Sequence, residues 1–460
     1  MKSFDVIFLV VIISTASCLI LIPKRITAIL QPLIAINLLL AIIQFKFSGY
    51  YWQYLPGYAL ILLMLLWSVF IKGPSQIILE KAFSYLLVFL ILATVVPWCI
   101  FLPIPKLTEP QGNYKVGTRI FRWIDFDRAE LITSEPNDKR NVVVQAWYPT
   151  EQIAQGTHSD YLDAPDNLQV KIGIIPGFIF DHYDQIETYG NLNAPISKAQ
   201  KKWPVILFLT GNGASRAFYT SLTSGLASHG YVVLTIDHPY EAAFTQLADG
   251  KIVTTTEVHL KDDPDLLKFM KFRLDIRVAD IQFVINQLGN PKGSTDNFVL
   301  SLDQNRIGIT GHSLGGASAG VAMAIDSRIK AAANIDGTLY GELPKLNSPR
   351  PYLLLESNKS DKSRFLRYET GNQLFFRQFG GGYRYEILNA DHLSFTDAPL
   401  LLAYPARFLA SRIFKFGNIP TRTHNATVDI LNTFFCGALK GKSAKLDSIT
   451  VRYHGIIRKL

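Results

Sequence analysis

Hydrophobic residues follow two different patterns along the chain, and the change falls near residue 105. Before it lie four almost continuous apolar runs, each close to or above the length that spans the hydrocarbon core of a bilayer. These runs are Val6–Ile22, Ile26–Phe45, Leu55–Ile71 and Ala82–Ile104. The pattern predicts a region of about four transmembrane helices over residues 1–105, or of three if the short third run is re-entrant.

From about residue 115, short apolar runs alternate with amphipathic segments, which is typical of an α/β sheet with helices on its faces. Trp203–Leu209 is a solid apolar run, as a central parallel strand requires, and Leu266–Leu288 has the period of a long amphipathic helix. Further strands are predicted at Asn141–Tyr148, Tyr231–Ile236, Ile307–Thr310, Ile329–Ile335, Tyr352–Leu355 and Tyr383–Leu388, and a crossover helix at Ala217–His229. We therefore predict one α/β domain over 106–460, a mostly parallel sheet flanked by helices, with an irregular excursion at 150–200.

A nucleophile elbow is predicted where one of these strands turns into a helix. Residues 306–317 read RIGITGHSLGGA, in which Gly311, Ser313 and Gly315 form a G-x-S-x-G pattern. Glycines two residues before and after the serine remove Cβ atoms that would clash in so tight a turn. The competing interpretation is a glycine-rich turn in which Ser313 has no chemical role. The apolar strand before the pattern and the run of small residues after it favour a nucleophile.

A serine nucleophile needs a base, and in this architecture the base follows the last strand of the sheet. His392 comes directly after the predicted strand Tyr383–Leu388. His424 lies in a polar Thr-His-Asn segment and His454 in a basic tail, so both are predicted to be surface residues. We therefore expect His392 to be the base, against the alternative of a structural loop histidine.

The acid that orients the base has several candidates. Asp336 ends the strand Ile329–Ile335, whereas Glu356 and Asp361 follow the next strand, which is the commoner place for the acid. Asp391 adjoins His392, but neighbours in sequence often point apart. An aspartate before a glycine, as Asp336 is, often only forms a turn. Position alone leaves Asp336 and Asp361 nearly equal.

An oxyanion hole needs two backbone N–H groups aimed at the attacked carbonyl. One is the amide of Leu314, the residue after the serine. The other is expected from the loop after Trp203–Leu209, which reads Thr210-Gly-Asn-Gly-Ala214 and whose glycines allow a close approach of the backbone. Asp237 and His238, which end a further strand at the same edge, are expected to form a turn rather than to line the pocket.

Charge and cysteines narrow the function classes. The formal net charge of +9 suits a domain held near anionic headgroups, whereas the absence of a dense Lys/Arg block or an aromatic stacking motif argues against nucleic-acid binding. The cysteines Cys18, Cys99 and Cys436 have neither a paired framework nor metal-ligand spacing, so no disulfide, metal or cofactor is predicted.

Basic residues in the connections predict an orientation for this integral membrane protein. With four spans, Lys24, Arg25, Lys72 and Lys81 lie on one side, and Lys2 and Lys46 lie on the other with the C-terminal domain. The positive-inside rule then places that domain outside the cytoplasm, at a plasma or inner membrane, and an odd number of spans would reverse this.

Four segments resemble the platelet-activating factor acetylhydrolases of the plasma and intracellular type II kind, a family of α/β-hydrolases. Residues 203–216 (WPVILFLTGNGASR) resemble the family's strand and oxyanion loop, and 226–234 (LASHGYVVL) resemble its next helix end and strand. Residues 306–317 resemble its nucleophile elbow, and 333–337 (ANIDG) resemble its acid-bearing strand end. The likeness covers roughly residues 140–440 and none of the first 105.

The resemblance implies a calcium-independent serine esterase that removes short or oxidised acyl chains from the sn-2 position of phospholipids. It implies that Ser313 attacks the ester, His392 carries the proton, Asp336 orients the histidine, and the amides of Asn212 and Leu314 hold the oxyanion. Asn212 stands where the family has an apolar residue, and Leu314 where it prefers phenylalanine. Because the hole is made of backbone groups, these departures bear on acyl selectivity more than on competence.

Three other functions compete with a membrane-anchored lipid esterase. One is a general carboxylesterase, similar to dienelactone hydrolases, that acts on small soluble esters. Another is a non-catalytic membrane protein whose hydrolase-like domain binds a ligand or partner, against which the presence of Ser313, Asp336 and His392 argues. The third is a transporter, but the apolar runs carry few charged or polar residues besides Asp5, Gln31, Gln44 and Gln53. The expected partners are therefore a lipid or ester substrate and the membrane.

Overall fold

The computed structural model describes residues 3–22, 29–70, 77–151, 158–162, 177–255, 266–289, 296–344, 349–358, 362–413, 417, 419–443 and 445–459. The chain forms two compact units. One contains Met1–Ile104 with the short segments Phe178–His182 and Leu402–Ala406, and the other contains the remainder.

The first unit is a set of four apolar helices. They are α1 (Ser3–Leu21), α2 (Leu30–Ser48), α3 (Leu55–Phe70) and α4 (Ile77–Ile100). Phe8, Leu60 and Leu87 are buried between them, while Ile42 and Phe89 are exposed on their outer faces. A helix that is apolar all round suits a lipid environment. All four helices are long and apolar enough to cross a membrane, and the third candidate span, which the sequence left in doubt, covers Trp52–Val69.

Several polar residues of this unit face its interior. Asp5, Gln44 and Gln53 are buried, whereas Gln31 is exposed. The amide of Asn37 donates a 3.0 Å hydrogen bond to the hydroxyl of Thr15 on the neighbouring helix. The basic residues Lys24, Arg25 and Lys72, on which the predicted orientation depends, lie outside the described residues.

The second unit is built on a ten-stranded sheet. In chain order its strands are β1 (Lys115–Ala129), β2 (Lys139–Thr150), β3 (Gly190–Leu192), β4 (Trp203–Leu209), β5 (Val232–Asp237), β8 (Leu302–His312), β9 (Ile329–Ile335), β10 (Tyr352–Ser357), β11 (Tyr383–Ile387) and β12 (Ile456–Arg458). Across the sheet the order is β12-β11-β10-β9-β8-β4-β5-β2-β1-β3. The run from β11 to β5 is parallel, and β2 and β12 pair antiparallel at its two ends. A separate hairpin pairs β6 (Phe244–Gln246) with β7 (Ile252–Thr254).

Helices cover both faces of this sheet. The helices with residues in its two cores are α5 (Thr220–Ser228), α6 (Leu266–Gly289), α7 (Leu314–Ile325), α8 (Lys362–Phe379), α10 (Pro420–Lys440) and α11 (Asp447–Arg452), and α9 (Tyr404–Ile413) is a further helix of the chain. Alternate residues of β4 pack into two cores: Leu207 joins the core with α6 and α7, and Phe208 joins the core with α5 and α10. A strand buried on both faces must be apolar throughout, which explains the unbroken run of β4. The predicted α/β architecture, with parallel strands and flanking helices, is confirmed.

The boundaries differ from the prediction where alternation is weak. The crossover segment begins as a 3₁₀ turn at Arg216–Tyr219 before α5, and β8 starts five residues before the predicted Ile307. The fifteen-residue strand β1 was not predicted as an element. Within the excursion at 150–200, the described part contains two 3₁₀ turns and β3, which pairs with β1, while 152–157 and 163–176 lie outside the described residues.

Candidate active site

Ser313 lies at the turn between β8 and α7. Its φ of 58° and ψ of −124° are a backbone conformation that residues with a side chain rarely adopt. A Cβ on Gly311 would lie 2.6 Å from the carbonyl carbon of Gly315, and a Cβ on Gly315 would overlap the carbonyl of Leu209. The Ser313 N–H donates a 2.8 Å hydrogen bond to the Ile335 carbonyl, which ties the turn to β9. The two glycines therefore make room for a strained turn that presents the serine.

Three predicted side chains form a continuous hydrogen-bonded row. The Nε2 atom of His392 lies 2.9 Å from the Ser313 hydroxyl oxygen, and its Nδ1 atom lies 2.8 Å from Oδ2 of Asp336. His392 is about one-third exposed, whereas Asp336 is buried. This is the arrangement in which an imidazole can take a proton from a hydroxyl while a carboxylate holds its other nitrogen.

Asp336 is positioned by β10 as well as by His392. Ser357 donates its N–H to Oδ1 of Asp336 at 3.0 Å and its hydroxyl to Oδ2 at 2.8 Å. Burial alone would raise the pKa of Asp336, but the hydrogen bonds from His392 and Ser357 outweigh burial and hold this pKa below its ordinary value. The carboxyl group is therefore an anion when its partners are in place. No pattern in the sequence indicated this role of Ser357.

The other candidate acids have different partners. Glu356 forms an ion pair with Arg384 at 2.6 Å. Asp391 accepts hydrogen bonds from Ser394 and from the Gly417 N–H, so it stabilises the loop backbone beside His392. Asp361 lies outside the described residues. Among the described candidates, Asp336 is the carboxylate that contacts the base.

The prediction that His424 is a surface residue is wrong. Its ring is completely buried, its Nδ1 atom lies 3.0 Å from the Thr108 hydroxyl, and its Nε2 atom lies 2.9 Å from the Thr396 carbonyl. The polar Thr-His-Asn segment forms part of the buried face of α10, where hydrogen bonds replace contact with water. His454 is exposed, as predicted.

The loop after β4 lies beside the serine. A Cβ placed on Gly211 would lie 3.5 Å from the Cβ of Ser313. Arg277 of α6 donates a 2.5 Å hydrogen bond to the Thr210 carbonyl, and Arg273 donates to the side-chain oxygen of Asn212. Between described residues, no hydrogen bond uses the N–H of Asn212 or of Leu314. Both amides are therefore available to a ligand at this turn.

Asp237 and His238 are buried at the end of β5 and do not line an open pocket. Asp237 pairs with Arg216, and His238 lies 2.8 Å from Asp280 through its Nδ1 atom. Burial is the main reason that the pKa of His238 is lowered, so its ring is neutral at physiological pH. The first contact holds the segment before α5 against β5, and the second joins the end of β5 to α6, in agreement with the expected structural role.

Comparison with known proteins identifies the family. The family model of platelet-activating factor acetylhydrolase, isoform II, matches residues 104–364, more than half of the chain. A probable 1-alkyl-2-acetylglycerophosphocholine esterase of Arthroderma benhamiae is 28% identical over 344 residues, covering 68% of this chain and 80% of the relative. The platelet-activating factor acetylhydrolase of Canis lupus familiaris is 26% identical over 290 residues, covering 53% of this chain and 60% of that protein.

A solved structure agrees with the fold. The ferulic acid esterase of Streptomyces cinnamoneus superposes with a TM-score of 0.63 and 25% sequence identity, covering 77% of this chain and 99% of that one. The family resemblance seen in the elbow and strand-end segments is thus confirmed over more than half of the sequence. The chain belongs to the platelet-activating factor acetylhydrolase, isoform II, family of ester hydrolases.

Proposed function

We propose that this protein is a membrane-anchored serine esterase that removes short or oxidised acyl groups from the sn-2 position of phospholipids. The observation that carries the proposal is the unbroken row from Ser313 through His392 to Asp336 at a strained elbow. Two relatives whose names specify 1-alkyl-2-acetylglycerophosphocholine or platelet-activating factor as substrate support the substrate class.

The proposed reaction begins with the Ser313 hydroxyl. His392 takes the proton of this hydroxyl on Nε2 while the oxygen attacks the ester carbonyl carbon, and Asp336 stabilises the resulting imidazolium. Collapse of the tetrahedral intermediate breaks the bond to the lysophospholipid oxygen, which receives the proton from His392. Water then attacks the acyl-serine with His392 again as base, which releases the acid and restores Ser313.

The tetrahedral intermediate carries a negative oxygen that needs hydrogen-bond donors. We assign this role to the N–H groups of Leu314, at the start of α7, and Asn212, in the loop after β4. Donors that are fixed before the substrate binds need no reorganisation when the charge develops. The contacts of Arg273 and Arg277 with this loop support such a fixed arrangement.

The four apolar helices supply the membrane anchor in this proposal. Their length and composition suit spanning, and a hydrolase unit joined to spanning helices meets its lipid substrate at the bilayer without a separate binding step. The bias of basic residues in the connections favours a hydrolase unit outside the cytoplasm.

The test is hydrolysis of a chain-length series of sn-2 acyl phospholipids by the purified protein and by its Ser313→Ala variant. We expect serine-dependent turnover that is fastest with short or oxidised acyl chains. Equal activity of the two proteins would overturn the catalytic proposal.

A general carboxylesterase is the second candidate, and the structural likeness to a ferulic acid esterase favours it. Matched p-nitrophenyl esters in the same assay separate the two functions. Serine-dependent turnover of soluble esters with no turnover of phospholipids would favour this second candidate.

A further inference from the structure

Two buried side chains that the proposed mechanism does not use connect the loop after β4 with the base. The Gly211 N–H donates a 2.9 Å hydrogen bond to the hydroxyl oxygen of Tyr219. This oxygen lies 2.9 Å from Nδ1 of His312, and Nε2 of His312 lies 2.8 Å from the carbonyl oxygen of His392. Both side chains are buried, with Tyr219 inaccessible and His312 only 2% exposed. A continuous row of hydrogen bonds therefore runs from the oxyanion loop to the backbone of the base.

The chemistry of the groups fixes the direction of every bond in this row. A carbonyl oxygen only accepts, so Nε2 of His312 carries the hydrogen. Burial, assisted by the nearby His392, lowers the pKa of His312 to about 3, so the ring is neutral and its Nδ1 atom accepts. Tyr219 must then donate its hydroxyl hydrogen to Nδ1, which leaves its oxygen to accept from Gly211. No other tautomer of His312 satisfies both of its neighbours.

The two ends of the row act on the two parts of the proposed machinery. Gly211 directly precedes Asn212, whose amide is the proposed oxyanion donor, and Arg277 donates a hydrogen bond to the carbonyl of Thr210, the residue before Gly211. Arg277 is itself buried and paired with Glu241 at 2.8 Å. At the other end, the carbonyl of His392 belongs to the residue whose ring contacts Ser313. Rotation of either segment would break the row.

We propose that Tyr219 and His312 are positioning residues. They keep the oxyanion loop, which is the loop after β4 at residues 210–214, and the base His392 in fixed positions relative to each other, so that both act on the same ester carbonyl. This inference rests on the proposed function, because it assigns the pair a role in that reaction. Misplacement of a reacting group by up to about one ångström can slow the reaction step by about 10- to 100-fold. Loss of the Tyr219 hydroxyl should therefore lower kcat and leave KM nearly unchanged.

Tyr231 provides a matched control. It is equally buried, and its hydroxyl is hydrogen-bonded to Asn432 at 3.2 Å to the carbonyl and 3.3 Å to the side chain, on α10 rather than in the loop or the elbow. Tyr219→Phe and Tyr231→Phe each remove one buried hydroxyl from the same packed unit. A general effect of lost packing or stability would appear in both variants. A displacement of the oxyanion loop relative to His392 would appear only in Tyr219→Phe.

The first experiment compares these variants in the full-length protein in detergent micelles. It measures kcat and KM for a short-chain phospholipid, the inhibition constant of a trifluoromethyl ketone, which forms a tetrahedral adduct with serine, and the melting temperature. We expect Tyr219→Phe to lower kcat by about 10- to 100-fold and to raise the inhibition constant of the ketone by a similar factor. KM should change less than about threefold. Tyr231→Phe should keep kcat within about twofold.

The second experiment tests whether the two residues act as one unit. In His312→Gln the amide can replace Nε2 as donor to the His392 carbonyl but is displaced from the position of Nδ1, whereas in His312→Asn the amide oxygen can replace Nδ1 as acceptor for Tyr219 but the side chain is too short to reach the His392 carbonyl. The double variant Tyr219→Phe/His312→Gln should be no slower than the slower single variant, because each change breaks the same connection. A double variant whose loss equals the product of the single losses would overturn the proposal.

The outcomes separate this inference from the proposed function. If Ser313→Ala abolishes turnover but Tyr219→Phe behaves as Tyr231→Phe does, the triad stands and the positioning role is wrong. If Ser313→Ala retains full turnover, the proposed function is wrong, and the positioning role that rests on it is wrong as well. If His312 variants do not fold, the comparison of Tyr219→Phe with Tyr231→Phe still decides the question.

Discussion

A buried aspartate remains charged only if the protein supplies hydrogen-bond donors in place of water. Asp336 accepts hydrogen bonds from the ring of His392 and from both polar groups of Ser357. The same contacts lock the tautomer of His392, because a carboxylate at Nδ1 requires the hydrogen there and leaves Nε2 free to accept from Ser313. Asp336 is therefore preferred over the other described candidate acids because its carboxylate is hydrogen-bonded to the imidazole of His392.

Replacing Asp336 by asparagine tests this preference. The amide keeps the size of the side chain but has no charge to stabilise the imidazolium and permits the wrong tautomer of His392. We expect Asp336→Asn to lower kcat by about 10³- to 10⁴-fold with a small change in KM, measured with a p-nitrophenyl ester. Glu356→Gln is the control, since Glu356 pairs with Arg384, and it should keep activity within about threefold. The reverse ranking of the two variants would contradict the assignment of the acid.

At the scale of elements, the elbow depends on close approach between β4, β8 and α7. A methyl group on Gly315 would overlap the carbonyl groups of Leu209, at the end of β4, and Thr210, at the start of the loop after it, and both are backbone atoms. We expect Gly315→Ala to lower the melting temperature and the yield of folded protein. Gly289→Ala is the control, because the nearest atom to its added methyl group is 4.0 Å away. Equal melting temperatures of the two variants would show that the turn can relax.

The start of α5 depends on a carboxyl group from another part of the chain. Asp397 is completely buried and accepts a 3.2 Å hydrogen bond from the Ser221 N–H in the first turn of this helix. Burial raises the pKa of Asp397 to about 7, and the backbone hydrogen bonds oppose this only in part. Its neighbour His424 is neutral at pH 7, because burial lowers the pKa of its ring to about 4. A proton on Asp397 is therefore held more tightly in the folded state than in the unfolded state.

This difference predicts how stability changes with pH. Below about pH 4 both states carry the proton, and between there and about pH 7 only the folded state does, so the contribution of Asp397 to stability falls as pH rises through this window. The ionised form destabilises the fold by up to about 4 kcal/mol. We expect Asp397→Asn to melt at a higher temperature than the parent at pH 8, to have a smaller advantage at pH 5, and to lose the advantage below about pH 4.

The control for this measurement is Asp275→Asn, which removes an exposed carboxylate from a surface pair with Lys271. Exposed pairs contribute about 0–1 kcal/mol, so its melting temperature should differ little from the parent at either pH. A pH-independent shift in Asp397→Asn would mean that the buried carboxyl group does not titrate in this window.

At the scale of the whole molecule, the strands whose bounds could be predicted from the sequence are those buried on both faces of the sheet. Trp203–Leu209 and Ile329–Ile335 have the predicted bounds because a central parallel strand is apolar at almost every position. The strand β1 was missed because its polar and charged positions, such as Arg119 and Arg122, acquire their partners only from other parts of the fold. Local pattern cannot show contacts between residues more than a hundred positions apart.

The candidate site was predictable to a similar extent. Ser313 and His392 were found because an elbow and the end of the last parallel strand have local signatures, and the structure brings them together. The choice between Asp336 and Asp361 required the family resemblance, since both follow strands at the same edge. Tyr219 and Ser357 had no signature, because their function depends on partners that only the folded sheet supplies.

The four apolar helices predict how the whole protein is held in the membrane. A protein attached by its net charge of +9 would leave anionic membranes in concentrated salt, because screening weakens such contacts. Four spanning helices have no such sensitivity, since removing them exposes about 18 to 22 apolar residues each to water. We expect the full-length protein to stay in the membrane pellet after 1 M salt and alkaline carbonate, and to be released by detergent with its esterase activity. Release by salt would point to surface attachment, and release by carbonate alone would contradict spanning helices.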